Sequence, residues 1–166
     1  MVSTLAPGAR FVLLDQAITA VDLPRNQIGL PLNWRYGPAN RDLGDADYLT
    51  ETHAFSGLGL RPLSPVHIRG QRTNGDLAIS WTRRTRLGGD GWIAAEVPLA
   101  EDSERFEIDI LSGSTVKRTL TATSPTITYT AADQTTDFGT RPASVTARIY
   151  QVSAFAGRGT GRSAVL

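Results

Sequence analysis

The 166-residue chain contains no cysteine and only two histidines. The lack of cysteine excludes disulfide bridges, thiolate metal sites and cysteine nucleophiles. His53 and His67 are separated in sequence, and neither has a second histidine at metal-ligand spacing. We therefore expect no transition-metal site and no cofactor.

Long apolar runs and a charge excess are also missing. No apolar segment approaches the roughly 18 residues of a transmembrane helix, so the sequence predicts no membrane span. Lys and Arg total 17 against 16 for Asp and Glu, which leaves a net charge of +1. Because nucleic-acid binding usually requires a concentrated basic face, we expect no nucleic-acid partner.

Helical periodicity is scarce, whereas short runs with a period of two recur between glycines and prolines. Such runs are typical of strands that are buried on one face. We predict an all-β chain in which residues 63–166 form an antiparallel β-sandwich of the fibronectin type III kind, with seven strands. The polar stretch 133–140 is predicted to be a loop, and a bulge is predicted near Tyr150. The predicted core comprises Leu77, Ile79, Trp81, Phe106 and Ile108.

Residues 1–62 are predicted to form a smaller β-rich N-terminal segment. Strand-like runs occupy residues 11–14, 30–36 and 48–55, but prolines and acidic residues separate them. Too few apolar residues are present for an independent core. We expect this segment to pack on the sandwich or on a neighbouring chain.

The densest group of basic residues is Arg83, Arg84 and Arg86. These arginines either bind a phosphate or acidic sugar, or pair with acidic residues of neighbouring strands. The second interpretation is favoured, and the candidate partner is Glu96, Glu107 or Asp109.

A glycine-rich loop at residues 86–92 carries Trp92. This tryptophan either stacks on a sugar ring or covers one end of the sandwich, and the second role is favoured. If the chain binds a ligand or receptor, the candidate contacts are Trp92, Arg84, Arg86 and Tyr129.

Acidic pairs that could serve catalysis occur at residues 45–47 and 101–104. Both lie in predicted loops beside small polar residues, so we interpret them as solvated charges. The glycine run 157–161 is followed by a strand-like end and not by a helix, so it is predicted to be a turn and not a phosphate site. We therefore expect the chain not to be an enzyme.

Several ordered stretches carry a family resemblance. They are FVLLD at 11–15, IGLPLNWR at 28–35, GLRPLSPVH at 59–67, GDLAISWTRRTR at 75–86, GDGW at 89–92, EVPL at 96–99, QVSA at 151–154 and GRG at 157–159. In this order the chain resembles the C-terminal region of the large tail-tip or baseplate (host-specificity) proteins of siphophage-like particles and gene transfer agents. The block at residues 60–99 is the most specific part.

The resemblance implies a structural module of a tail tip, made in a bacterial cytoplasm and carried on a virion or phage-like particle. The implied partners are other tail or baseplate proteins, further copies of the chain in a homo-oligomeric assembly, and a host surface glycan or protein. Many family members carry an upstream barrel that resembles a glycoside hydrolase, but such a barrel needs well over about 200 residues. Hydrolase activity is therefore not transferred to this chain. A carbohydrate- or receptor-binding sandwich is the alternative function.

Overall fold

The structure, a computed structural model, describes residues 21–89 and 96–166 together with Gly8, Gln16, Ile18 and Gly91. The predicted strand at residues 11–14 and the role of Trp92 lie outside the described residues. The chain divides into two compact units, residues 1–56 and 57–166. The sequence placed this boundary between residues 62 and 63, whereas residues 57–62 belong to the second unit.

The first unit contains an antiparallel hairpin. Strand β1 (Leu32–Tyr36) pairs with β2 (Leu49–His53), with Leu32 opposite His53 and Tyr36 opposite Leu49. These strands confirm the predicted strands at 30–36 and 48–55 within shorter bounds. A 3-10 turn at Arg25–Gln27 precedes the hairpin.

The second unit begins with a 3-10 turn at Leu58–Leu60 and then forms two antiparallel sheets. Its strands are β3 (Val66–Thr73), β4 (Asp76–Thr82), β5 (Phe106–Ser112), β6 (Thr115–Ala122), β7 (Thr126–Tyr129), β8 (Thr146–Ser153), β9 (Gly157–Arg158) and β10 (Arg162–Val165). One sheet has the order β3-β4-β7, and the other has the order β10-β8-β5-β6 with the short β9 paired to β8. This strand order is that of a fibronectin type III sandwich, so the predicted fold is confirmed.

The core lies between these two sheets. Alternate residues of β4 and β5 point inward, and all five predicted core residues are at most 5% exposed. The rings of Trp81 and Phe106 meet edge to face at 5.1 Å between centroids. Further buried residues complete the interior, namely Ile110, Tyr129, Val145, Ala147 and Ile149.

A helix, α1 (Ala131–Phe138), occupies most of the stretch that was predicted to be a loop. Thr130 begins it, because the Thr130 Oγ1 accepts a hydrogen bond from the Asp133 backbone N–H at 3.0 Å. Gly139, with φ at +78°, ends it. The loop prediction is wrong because a capped helix of polar residues has little apolar periodicity.

The predicted bulge near Tyr150 is also wrong. Pairing between β5 and β8 continues without a shift through Tyr150, and the register shifts lie in β3 and in the β5–β6 pair. Gln151 occupies an inward position beside Ile149 and is buried. Val152 is buried on the opposite face, where it pairs with Arg158 of β9. Because Gln151 is polar although it faces the core, the sequence pattern did not show which residues of β8 point inward.

Strand register gives the sandwich two distinct ends. The linker end holds Pro62, residues 83–89 and 96–105, and the turn before β9, since Val66 pairs with Thr82 and the Thr160 N–H donates to the Pro62 carbonyl at 3.1 Å. The turn end holds the β3–β4 turn at residues 74–75, helix α1 and Leu166, whose backbone bonds to Val145.

Candidate functional site

The loop arginines at the linker end bind the chain's own loop. Arg83 lies 2.9 Å from a Glu96 carboxylate oxygen and 3.5 Å from one of Glu104. Its guanidinium also donates to the carbonyls of Val97 and Pro98 at 2.8 and 3.1 Å. The predicted pairing of this cluster with Glu96 is confirmed, and Arg83 serves to hold the loop together.

Arg86 and Arg84, two of the predicted ligand contacts, also donate hydrogen bonds to other residues of the chain. Arg86 donates to Glu101 at 3.1 Å and to the Ala100 carbonyl at 2.9 Å. The Glu101 side chain is only 4% exposed, so its interpretation as a solvated loop charge is wrong. Arg84 donates to the backbone carbonyl and the hydroxyl of Ser64 at 2.9 and 3.0 Å. A ligand would therefore have to displace these internal bonds.

Tyr129 is fully buried, so its predicted role as a ligand contact is wrong. Its hydroxyl donates to Asp137 at 2.7 Å, and burial together with this carboxylate raises the pKa of Tyr129. Tyr129 pairs with Leu77 at the turn end, whereas Arg84 follows the opposite end of the same strand β4. The structure does not bring these predicted contacts together.

Asp137 organises the turn end around α1. Arg118 of β6 donates to both of its oxygens, at 2.7 and 3.0 Å. These bonds lower the pKa of Asp137 in spite of its partial burial, and the Tyr129 hydroxyl acts in the same direction. The carboxylate thus links a core tyrosine to an edge strand, which is a structural role.

Glu107 and Asp109, the other two candidate partners of the loop arginines, pair with Arg158 of β9 instead. Arg158 donates to both oxygens of Asp109 at 2.7 and 3.0 Å, and it also contacts Glu107. Its guanidinium lies over the Tyr150 ring, 4.6 Å from the centroid. Sequence spacing carries no signal for this cluster, because the strand register and a turn 49 residues away bring Arg158 to Asp109.

Burial raises the pKa of Asp109, but hydrogen bonds from Arg158 and Thr119, with the arginine charge, outweigh it and keep the value below the usual range. Asp109 is therefore a fully bonded anion. It fastens β9 to the outer face of the four-stranded sheet.

The hairpin of the first unit presents a surface of a different kind. Because side chains alternate along paired strands, one face carries Leu32, Trp34, Tyr36, Leu49, Glu51 and His53, with Phe55 next to them. We call these seven residues the hairpin face. The Trp34 and His53 rings both contact Phe55 edge to face, at centroid distances of 5.2 and 4.5 Å.

Apart from Glu51 and His53, the hairpin face is apolar, and it is accessible. Tyr36, Leu49 and Phe55 are 50%, 58% and 44% exposed, and none of residues 21–56 is buried. The opposite face carries Asn33, Arg35, Thr50 and Thr52, which are polar. The sequence predicted the two strands but not that their apolar side chains would share one exposed face.

Within the part of the chain that the structure describes, no three acidic or histidine side chains are grouped to hold a metal ion. The described helices include none long and apolar enough to cross a membrane.

A scan against protein-family models and a search of curated proteins find no match. Among solved structures, the chain is similar to a protein described as FN3tt mut (17% identity, TM-score 0.43, 64% of this chain and 94% of that one). It is also similar to domains d3-d4 of the rat CD45 extracellular region (8%, 0.43, 100% and 79%) and to the FN5 domain of Drosophila Lar (13%, 0.36, 63% and 94%). At these values, the likeness carries no argument about activity or partners. The two sheets themselves show the fold: the chain is an all-β protein with a fibronectin type III-like sandwich.

Proposed function

We propose that the chain is a non-enzymatic structural module of a phage-like tail tip or baseplate, in which the hairpin face packs against neighbouring tail proteins. The sequence resemblance supplies the setting, and the hairpin face is the observation that carries the proposal. An amphipathic hairpin with an exposed aromatic face is a surface suited to burial in an assembly.

The size of this surface favours a contact inside a larger assembly over a free binary complex. Burying the exposed halves of Tyr36, Leu49 and Phe55 would contribute about 2–4 kcal/mol, from about 1.5–3 kcal/mol per fully buried side chain. Association of two free proteins costs roughly 4–15 kcal/mol. The hairpin face therefore needs additional contacts, which a multi-subunit tail provides through effective concentration.

The internal pairing of the loop charges suits the same role. Arg83, Arg86 and Arg158 each hold a loop or short strand in place through carboxylates of the same chain. A sandwich whose linker end is fixed in this way can act as a rigid spacer between neighbours. The alternative, a carbohydrate- or receptor-binding module, loses Tyr129 as a contact and would require Arg84 and Arg86 to exchange partners.

The test is incorporation into particles. An epitope-tagged chain is expressed in the bacterium that encodes it, tail particles are purified on a density gradient, and the tag is located by immunogold microscopy. We expect label at one tail tip, and we expect Leu49→Lys to abolish it. The matched control Thr50→Lys places the same charge on the opposite face of the same strand and should keep the label.

Absence of the tagged wild-type chain from purified particles would overturn the proposal. Equal loss of label in Leu49→Lys and Thr50→Lys would show that the hairpin face is not the surface that contacts neighbouring tail proteins. Binding of the free chain to an array of cell-surface glycans would favour the alternative function.

A further inference from the structure

An open cleft of about 360 Å³ lies at the turn end of the sandwich. It is lined by two arginines and by small or neutral residues, namely Arg72, Arg141, Asn74, Gly75, Pro142 and Ala143. Its volume lies within the range of small-ligand sites. No residue of this lining carries a negative charge.

Arg72 is held in the cleft by neutral acceptors alone. Its guanidinium donates to the Gln134 side-chain oxygen at 2.9 Å and to the carbonyls of Pro142 and Ala143 at 2.9 and 3.5 Å. Among the described residues, no carboxylate forms an ion pair with it. The arginine is therefore positioned while its charge stays uncompensated.

Arg141 adds a second charge at the same place. Its guanidinium lies directly against the Gly75 backbone, so that a methyl group on Gly75 would come within 2.1 Å of the Arg141 Nη1. Within residues 21–89 and 96–166, no carboxylate pairs with Arg141 either. Gly75, at a φ of +94°, leaves the space that this side chain occupies.

Arg72 is anchored by a buried side chain. Gln134 is fully buried, and its side-chain amide donates to the carbonyls of Gly75 and Tyr129 at 3.1 and 2.9 Å while its oxygen accepts from Arg72. One side chain thus ties the β3–β4 turn, strand β7 and Arg72 together. A site with donors fixed in advance loses little entropy on binding.

The acidic residues that lie close by in sequence are engaged elsewhere. Asp76 accepts from the Ala131 backbone N–H at 2.7 Å. Asp133 accepts from Thr130 and pairs with Arg118 at 3.1 Å. Since no carboxylate of the described residues lines the cleft, its two guanidinium groups are the charges that a ligand there would meet.

We propose that this cleft binds an oxyanion, a carboxylate or phosphoryl group on a small or larger ligand, with Arg141 as the main contact and Arg72 as the second. A guanidinium presents paired N–H donors that match the two oxygens of either group. The proposal goes beyond the assembly role, because it concerns the second unit alone and the end of the sandwich opposite the linker.

The test is an NMR titration of the full chain with three probes at constant ionic strength: sodium phosphate, sodium glucuronate and neutral glucose. We expect saturable amide shifts confined to residues 72–76 and 139–143 with at least one of the two anions, and none with glucose. Binding of phosphate alone assigns the site to phosphoryl groups, and binding of glucuronate alone assigns it to carboxylates.

Arg141→Gln should weaken binding at least tenfold. Arg162→Gln removes one exposed arginine charge from β10 and should leave the affinity unchanged. The proposal is overturned by absence of saturable shifts with both anions, by shifts spread over the whole chain, or by equal losses in the two variants. Circular dichroism of both variants checks that the fold is intact.

Discussion

Gly159 lies where the turn before β10 passes close to two other backbone segments. A methyl group at this position would approach the Pro62 carbonyl oxygen to 2.4 Å and the Gln151 carbonyl oxygen to 3.0 Å. Neither neighbour is a flexible side-chain end that could move aside. Gly159 also donates its N–H to the Gln151 carbonyl at 2.9 Å, so that the close approach is part of the bonding.

We expect Gly159→Ala to lower the free energy of unfolding by about 1–3 kcal/mol, because the backbone must shift to relieve the contact. Gly59→Ala, in the same unit and with open space around the position, should change it by less than about 1 kcal/mol. Urea denaturation of both variants measures the difference. Equal free energies of unfolding for the two variants would show that the turn at Gly159 accommodates a methyl group without loss of stability.

Two carboxylates give the stability a predictable dependence on pH. The pKa values of Asp109 and Asp137 are lowered in the folded chain by arginine partners, although burial opposes the shift. Their contribution is thus complete above the unfolded value of about 3.9 and is lost as the pH falls through the lower folded value. We expect the free energy of unfolding to change little from pH 7 to 5 on their account and to fall below about pH 4.

Asp109→Asn and Asp137→Asn should each lower the stability at pH 7 by about 1–3 kcal/mol, since a charged hydrogen-bond acceptor is lost. Their stability difference from the wild type should shrink at pH 3. Urea denaturation at the two pH values provides the measurement, with Asp102→Asn, an exposed loop residue, as the control. A deficit that is the same at both pH values would contradict the assignment of these ion pairs.

At the scale of single elements, α1 depends on its first turn. Thr130 accepts from the Asp133 N–H, and Phe138 is the one large apolar residue by which this eight-residue helix packs against the core. Thr130→Ala should therefore lower the stability by about 0.5–2 kcal/mol. Thr136→Ala removes a hydroxyl that bonds to the Ala132 carbonyl within the helix and should be close to neutral. Thermal unfolding followed by circular dichroism distinguishes the two.

The strands could be predicted from the sequence and the side-chain pairing could not, for a physical reason. A period of two, as in Leu77, Ile79 and Trp81, is a local property that directly reports a half-buried strand. The partners of Arg158 depend instead on how two distant segments register, which no local pattern encodes. Helix α1 lies between these cases, since its cap is local but its stability rests on Gln134 and Asp137, whose partners are on other strands.

For the candidate surfaces, too, the strands were predictable from the sequence and the contacts between distant residues were not. The strands of the hairpin were predictable, whereas the common face of Tyr36, Leu49 and Phe55 follows from the register of β1 with β2. The cleft beside Gly75 was not predictable, because Arg72 and Arg141 lie far apart in sequence, with strands β4 to β7 between them.

At the scale of the whole molecule, the described buried residues all belong to residues 57–166. We expect a fragment of these residues to fold alone and to unfold in one cooperative transition, because its two sheets close a complete core. Size-exclusion chromatography and urea denaturation followed by tryptophan fluorescence test this. A fragment that lacks a sigmoidal transition would mean that the sandwich requires residues 1–56.

The chain enters the sandwich at the linker end and reaches Leu166 at the turn end, so that a pulling force applied through these two points runs along the strands. The four residue pairs that join β10 to β8, from Arg162–Ile149 to Val165–Thr146, would then be loaded together in shear and not opened one after another. Rupture under tension is governed by the rate of unfolding and not by the equilibrium stability. Pulled in this way, the sandwich would resist the force through these four residue pairs acting at once.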